Sequence, residues 1–181
     1  DQVASESNSG SGTADAGQLR WRHGPYQDLL PSTQQFPLIL SHALIEWLEH
    51  PRQMIADCHT LLEPGGVLSL CFYNCWARDY RNLVRGNFDW LDCKEDYLPD
   101  SGSLTPDFHH SPDAVMAWLD EEGFEVQGVT GVRVFHDYVV EKRGGHTDNS
   151  AVIAKELEYS TRFPYIWLGR YLHVVAIKRM T

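Results

Sequence analysis

One stretch, residues 61–74, constrains the fold more than any other part of this sequence. It reads Leu-Leu-Glu-Pro-Gly-Gly-Val-Leu-Ser-Leu-Cys-Phe-Tyr-Asn. Pro64 cannot continue a helix, and Gly65 and Gly66 can adopt the positive φ angles of a tight turn. The apolar run that follows, residues 67–72, is typical of a short strand that is covered on both faces. The stretch therefore predicts a helix end, a turn and a buried strand, as in α/β folds with a parallel sheet.

Hydrophobic spacing and turn residues outline the rest of the chain. Residues 1–18 are polar without periodicity, so we expect a loop or frayed end there and a single domain over residues 19–181. Strands are predicted at residues 19–23, 36–41, 67–72, 124–130 and 171–177. Helices are predicted at residues 43–50, 52–62, 74–86, 112–122 and 150–160, with a loop over 87–111. Because strands alternate with helices, we predict an α/β fold with a largely parallel sheet.

Composition limits the partners of the protein. The chain has 181 residues, of which 43% are hydrophobic and 22% charged, as is ordinary for one globular domain. No apolar run approaches the roughly 20 residues of a membrane-spanning helix, and the polar N-terminus is not a secretory signal, so we predict a cytoplasmic protein without membrane association. The formal net charge of −10 disfavours nonspecific nucleic-acid binding but is compatible with a local basic surface.

Histidine and acidic side chains lie close together in sequence at two places. His42 and Glu46 have i, i+4 spacing without an HExxH pattern or a third ligand. Asp107, His109 and His110 form the other group, and exposed histidines in a loop explain it. We predict no metal site.

Several motifs resemble a known family. Ile-Leu-Ser-His-Ala-Leu-Ile-Glu-Trp-Leu at residues 39–48, with the joint at 61–74, resembles the strand 4 to strand 5 segment of class I S-adenosylmethionine-dependent methyltransferases. Further motifs are Phe-Tyr-Asn at 72–74, Gly-Asn-Phe-Asp at 86–89, Leu-Thr-Pro-Asp at 104–107, Thr-Gly-Val-Arg-Val-Phe-His-Asp-Tyr at 130–138 and Leu-Gly-Arg-Tyr-Leu-His at 168–173. With them, residues 19–178 are similar to the bacterial tRNA 5-carboxymethoxyuridine methyltransferase family.

The resemblance implies a Rossmann-like sheet and a specific reaction. Members of the family transfer a methyl group from S-adenosylmethionine to the carboxylate of 5-carboxymethoxyuridine at the tRNA wobble position, which gives a methyl ester. The Gly-rich turn after strand 1 and the acid after strand 2 have no counterpart in this sequence. We therefore expect the C-terminal part of the domain, N-terminally truncated with strands 1 and 2 absent. In the family strand order 3-2-1-4-5-7-6, strand 4 would then form a free edge.

A carboxylate substrate determines which residue types are expected. Its pKa is near ~4, so it is ionised at neutral pH and needs no general base. Arginines suit it because the guanidinium fork matches carboxylate geometry, and Arg133 and Arg170 each lie in a family motif. An ion pair or a capped loop end is the alternative role for each candidate. Further candidate substrate-binding residues are Tyr73, Asn74, His136 and Tyr138.

The resemblance also suggests cofactor contacts. Tyr26 and Gln27 resemble the strand 3 loop positions that flank the adenine of S-adenosylmethionine, and His42 occupies the family position that touches the cofactor.

Three arginines are candidates for contact with RNA. Arg78, Arg81 and Arg85 have i, i+3, i+7 spacing, which places them on one helix face. We predict that they contact the backbone of the tRNA anticodon stem-loop, and a solvated helix face is the alternative. The loop at residues 94–100 is acidic where family members can carry a lysine-rich run, so phosphate contact is not expected from it.

Two alternatives remain open. A methyltransferase of a small carboxylic acid would suit the acidic net charge, and a non-catalytic tRNA-binding or protein-binding module would not use the cofactor. The presence of Tyr26, Gln27 and His42 argues against the module.

We expect that residues 1–181 alone do not bind S-adenosylmethionine measurably and are inactive, because the Gly-rich turn and the ribose-binding acid of the family supply most of the cofactor site. Calorimetric titration with S-adenosylmethionine measures this. Saturable binding with a micromolar constant would show instead that this chain holds most of the site.

Overall fold

The computed structural model describes residues 21–30, 34–92, 106, 108–139 and 148–180. The strands are β1 (Phe36–His42), β2 (Leu62–Tyr73), β3 (Phe124–Val132) and β4 (Tyr171–Lys178). The helices are α1 (Pro51–Leu61), α2 (Cys75–Arg85), α3 (Phe88–Asp92), α4 (Pro112–Glu121) and α5 (Asn149–Tyr159). Short 3-10 turns lie at Tyr26–Leu29, Ile45–Trp47, His136–Tyr138 and Tyr165–Leu168.

The four strands form one mixed sheet with the order β1-β2-β4-β3. β1 and β2 pair in parallel, whereas β4 is antiparallel to both β2 and β3. Three strands thus run in one direction, and the predicted largely parallel sheet is wrong for the two pairs that β4 makes. The order corresponds to the 4-5-7-6 part of the strand order that the resemblance implies, so the α/β, Rossmann-like fold class is confirmed. Among the described residues, β1 has no strand on its outer side.

The predicted joint between helix and strand is present. Leu62 pairs with Phe36 and Val67 pairs with Leu38, so the residues between Leu62 and Val67 bulge out of the ladder. Gly65 has a φ of 75° in that bulge, a conformation that favours glycine. The bulge therefore lets the chain leave α1 and enter the sheet within a few residues.

The hydrophobic core lies between one face of the sheet and helices α1 and α4. Along β4, Leu172, Val174 and Ala176 are at most 1% exposed, while the residues between them face the other side of the sheet. Each large apolar side chain buried in this way stabilises the fold by roughly 1.5–3 kcal/mol. Other fully buried core residues are Ile55, Leu68, Phe72, Leu119 and Phe124.

In the described part of the chain, no helix has the length and apolarity needed to cross a bilayer.

Two predicted elements are wrong. Residues 21–23 of the predicted first strand have no regular structure, and Trp21 is 86% exposed, so the alternating pattern has no surface to pack on. The predicted helix at 43–50 is only the turn Ile45–Trp47. Ala43 has a φ of 54°, outside the right-handed helical region, and this interrupts the expected helix at its start.

The remaining predicted helices and strands are confirmed. The four longer helices α1, α2, α4 and α5 agree with prediction within one residue at each end. The strands β1, β3 and β4 start as predicted, and β2 starts earlier than expected. The predicted loop at 87–111 contains the short helix α3. The predicted N-terminal loop, residues 19 and 20 and the acidic loop at 94–100 lie outside the described residues.

Two glycines of β3 offer a matched test of packing. A Cβ on Gly131 would lie 2.6 Å from the Ile166 carbonyl oxygen and 2.9 Å from Cγ2 of Val134, whereas a Cβ on Gly128 would meet nothing within 4 Å. We expect Gly131→Ala to lower the free energy of unfolding by about 1–3 kcal/mol through overpacking. Gly128→Ala, the control, should not lower it. Urea denaturation measures both, and equal midpoints would contradict the packing at Gly131.

Candidate functional site

A groove opens where β2 ends and β4 begins. Tyr73, Asp137 and Tyr138 line it together with four arginines. These are Arg78 and Arg81 from α2, Arg133 from the segment after β3, and Arg170 from the segment before β4. The structure thus brings together two sets of predicted residues, the carboxylate clamp and part of the RNA-binding set. The groove is a local basic surface on a chain of formal net charge −10.

Asn74 joins the elements that form the groove. Its side chain is fully buried and its Oδ1 accepts the Trp76 N–H at 3.0 Å, which caps α2. Its Nδ2 donates to the carbonyl oxygens of Trp167 and Gly169 at 2.8 and 2.9 Å. These bonds give Asn74 a structural role, while its predicted contact with substrate stays a prediction.

Arg133 and Arg170 share one carboxylate partner. Nη2 of Arg133 donates to Oδ1 of Asp137, and Nη1 of Arg170 lies 3.4 Å from Oδ2 of the same residue. The Arg170 guanidinium also lies 5.8 Å from the ring centre of Tyr73 and 5.9 Å from that of Tyr171. The side chains of both arginines remain partly exposed. Sequence reasoning missed Asp137, although it lies between two predicted site residues.

The loop that carries Arg133 and Asp137 is fixed from α5. The carboxylate of Glu156 accepts the backbone N–H groups of Val134, Phe135 and His136 at 2.9, 2.9 and 2.6 Å. His136 itself is exposed, so its side chain is accessible from solvent. Glu156 was also missed from the sequence, because its partners lie about 20 residues away in the chain.

The arginines of α2 do not form one solvated stripe. Nε and Nη2 of Arg78 donate to Oδ1 of Asp79 at 3.0 and 2.9 Å. Nη2 of Arg81 lies 3.4 Å from the Tyr73 hydroxyl, and its Nε is buried without a hydrogen-bond partner. Arg85 is exposed at the end of the helix and does not line the groove. Two of the three predicted RNA-binding arginines therefore face the groove.

Aromatic rings and a histidine surround the floor of the groove. The Tyr73 ring makes edge contacts with His109 at 5.4 Å and with Tyr171 at 5.5 Å. Burial and, to a smaller extent, the positive charge of Arg78 lower the pKa of His109 to about 4, so this imidazole is neutral at pH 7. Burial also raises the pKa of the Tyr138 hydroxyl.

Two of the three predicted cofactor-binding residues, Tyr26 and His42, form hydrogen bonds with other side chains of the protein. The Tyr26 hydroxyl donates to Oδ2 of Asp57 in α1 at 2.9 Å. Burial and that hydrogen bond raise the pKa of Tyr26 to about 12. His42 lies at the end of β1, where its Nε2 is 2.9 Å from the Ser69 hydroxyl, and Gln27 is exposed. Sequence spacing indicates none of these partners.

No group of three or more histidine, cysteine or acidic side chains among the described residues is arranged to hold a metal ion. Of the residues considered for a metal from the sequence, Asp107 lies outside the described residues. The His110 ring instead lies against Ile45, whose carbonyl oxygen is 3.3 Å from its Nε2.

A family model matches the N-terminal part of the chain. Residues 2–70 match the family model described as a methyltransferase domain. The match begins upstream of residue 19, where the sequence motifs were expected to start. Over residues 2–70 the chain is therefore similar to methyltransferase domains.

Two curated relatives are similar to a larger part of the chain. The chain is 43% identical over 143 residues to the tRNA 5-carboxymethoxyuridine methyltransferases of Escherichia coli K12 and O157:H7. The alignment covers 78% of this chain but only 54% of each relative, so the chain spans about half of their length. A crystal structure of an S-adenosylmethionine dependent methyltransferase from Mesorhizobium loti is 14% identical, with a TM-score of 0.46 over 80% of this chain and 62% of that chain.

The lowered pKa of His109 predicts an acid-sensitive contribution to stability. The folded protein prefers the neutral ring, so the contribution is complete above the ordinary pKa of about 6.5 and is lost as the pH falls toward 4. His109→Gln should therefore lose less stability than the wild type between pH 7 and pH 4.5. Urea denaturation at several pH values measures this, with the exposed His23→Gln as control. Parallel pH curves for wild type and His109→Gln would show that His109 does not titrate in this way.

Proposed function

We propose that this chain is part of an enzyme that transfers the methyl group of S-adenosylmethionine to the carboxylate of 5-carboxymethoxyuridine at the tRNA wobble position, giving a methyl ester. The observation that carries the proposal is the 43% identity over 143 residues to relatives named for this modification. The groove at the ends of β2 and β4 supports it, because its arginines suit an anionic substrate.

The contacts of Arg133 and Arg170 support a carboxylate as the reacting group. Both guanidinium groups already approach the two oxygens of one carboxylate, that of Asp137. The two guanidinium groups therefore lie close enough together for one planar, two-oxygen anion to reach both. Because such an anion is ionised at neutral pH, the residues have to orient one oxygen and hold it, and no proton has to be removed.

An RNA substrate is supported by the position of the groove on α2. Arg78 and Arg81 lie beside the proposed carboxylate clamp, where a nucleotide that carries the carboxylate also presents its phosphates. Tyr80 is 39% exposed and makes an edge contact with Tyr138 at 5.9 Å, so these rings offer a surface for an unpaired base. Tyr73 is only 5% exposed, so a role in the floor of the groove fits it better than contact with an unpaired base.

S-adenosylmethionine supplies the reactive methyl group when it is bound. His42 fits a role beside it, because this residue ends β1 and ligands of open α/β sheets bind beyond the carboxyl ends of the strands. Gln27 is exposed and compatible with contact to the adenine. Tyr26 fits only through its ring, since its hydroxyl is bound by Asp57.

The test uses the full-length protein and two synthetic anticodon stem-loops, one with 5-carboxymethoxyuridine and one with uridine. We expect methyl transfer to the first RNA only. Arg133→Ala and Arg170→Ala should each reduce the single-turnover rate, since the loss of a charge-assisted contact costs roughly 1.5–3 kcal/mol. S-adenosylmethionine binding should change less.

Arg179→Ala is the matched control, because Arg179 is a partly exposed, ion-paired arginine beyond the opposite end of β4. Normal single-turnover rates in both clamp variants would place the carboxylate elsewhere. Turnover of a free carboxylic acid at the rate of the modified RNA would favour the small-acid methyltransferase instead.

A further inference from the structure

We propose that Asp137 is a specificity-determining residue that makes the groove reject RNA lacking the substrate carboxylate. This inference rests on the proposed function. Asp137 lines the groove, and its side chain is 12% exposed between the two arginines that we assign to carboxylate binding.

The contacts of Asp137 leave part of each arginine available to a ligand. Asp137 engages one terminal nitrogen of each guanidinium, Nη2 of Arg133 and Nη1 of Arg170. The two side chains are 46% and 33% exposed. Nε of Arg170 is buried, so the second terminal nitrogen of each guanidinium is the donor that a planar carboxylate can approach while Asp137 stays in place.

Charge explains why this arrangement is selective. Two guanidinium groups without a counter-ion would attract any phosphate of any RNA, since phosphate contacts supply most nonspecific affinity. The Asp137 carboxylate cancels one of the two positive charges and opposes a loosely placed phosphate. A carboxylate that is held in the groove by its own nucleotide can still reach the second terminal nitrogen of each guanidinium. Asp137 thus weakens binding of the wrong RNA more than binding of the substrate.

The loop geometry keeps this counter-ion in position. Asp137 lies in the turn His136–Tyr138, where the Tyr138 N–H donates to the Phe135 carbonyl oxygen at 2.8 Å. Glu156 binds the three N–H groups just before it. The carboxylate is therefore carried by a fixed backbone rather than by a mobile loop.

The experiment compares binding of the two stem-loops to the full-length protein across a range of salt concentrations. In Asp137→Asn, affinity for the uridine stem-loop should rise, and its slope of log affinity against log salt should steepen by roughly one, as for one more phosphate contact. The preference for the 5-carboxymethoxyuridine stem-loop should fall several-fold. Asp137→Glu keeps the charge and should keep the low affinity for uridine RNA.

Asp120→Asn is the matched control, because Asp120 is an ion-paired aspartate whose partner, Arg179, follows the far end of β4. An unchanged preference and salt slope in Asp137→Asn would overturn the inference. The same loss in Asp137→Glu would overturn it too, by showing that the fold and not the charge is affected. If the wild type itself neither prefers nor methylates the modified stem-loop, the proposed function fails and this inference fails with it.

Discussion

The buried hydrogen bonds of Asn74 are the constraint on which the groove depends. The side chain ties the start of α2 to the carbonyl groups that precede β4, and its backbone N–H donates to the Arg170 carbonyl oxygen at 3.0 Å. Arg78 and Arg81 are carried by the first of these segments and Arg170 belongs to the second. Loss of the amide would leave buried carbonyl groups without donors, which is more costly than the loss of an exposed bond. One neutral residue thus fixes the distance between charged ones.

The local charge of the groove is positive, whereas the net charge of the protein is negative. The chain is acidic overall, yet the groove brings four arginines together, with the carboxylate of Asp79 beside Arg78 and that of Asp137 beside Arg133 and Arg170. Interactions between exposed charges are screened beyond about 10 Å at 0.1 M salt. A ligand in the groove is therefore attracted or repelled mainly by the charged residues that line the groove. For the proposed RNA substrate, the acidic remainder of the surface would disfavour binding outside the groove.

Much of the fold was predictable because short sequence patterns determine where its helices and strands begin and end. Gly86 and Gly123 end α2 and α4 with φ angles of 74° and 84°, as glycine after a helical run predicts. The failures occurred where tertiary context decides, as at Ala43, where the chain turns sharply after β1. In the site, sequence motifs predicted that Arg133 and Arg170 act together, but no local pattern encodes that Asp137 lies between them. Contacts across 30 or more residues depend on the finished fold.

Two carboxylates divide the task of organising the arginine clamp. Glu156 fixes the backbone after Arg133, and Asp137 orders the guanidinium groups themselves. Ordering a long arginine side chain costs up to about 2 kcal/mol of conformational entropy, so a clamp ordered before the substrate arrives binds with a smaller entropic loss. The same carboxylate reduces the attraction of the groove for anions in general. In the proposed enzyme, selectivity for one anion and preorganisation for it would therefore arise from a single ion-pair network.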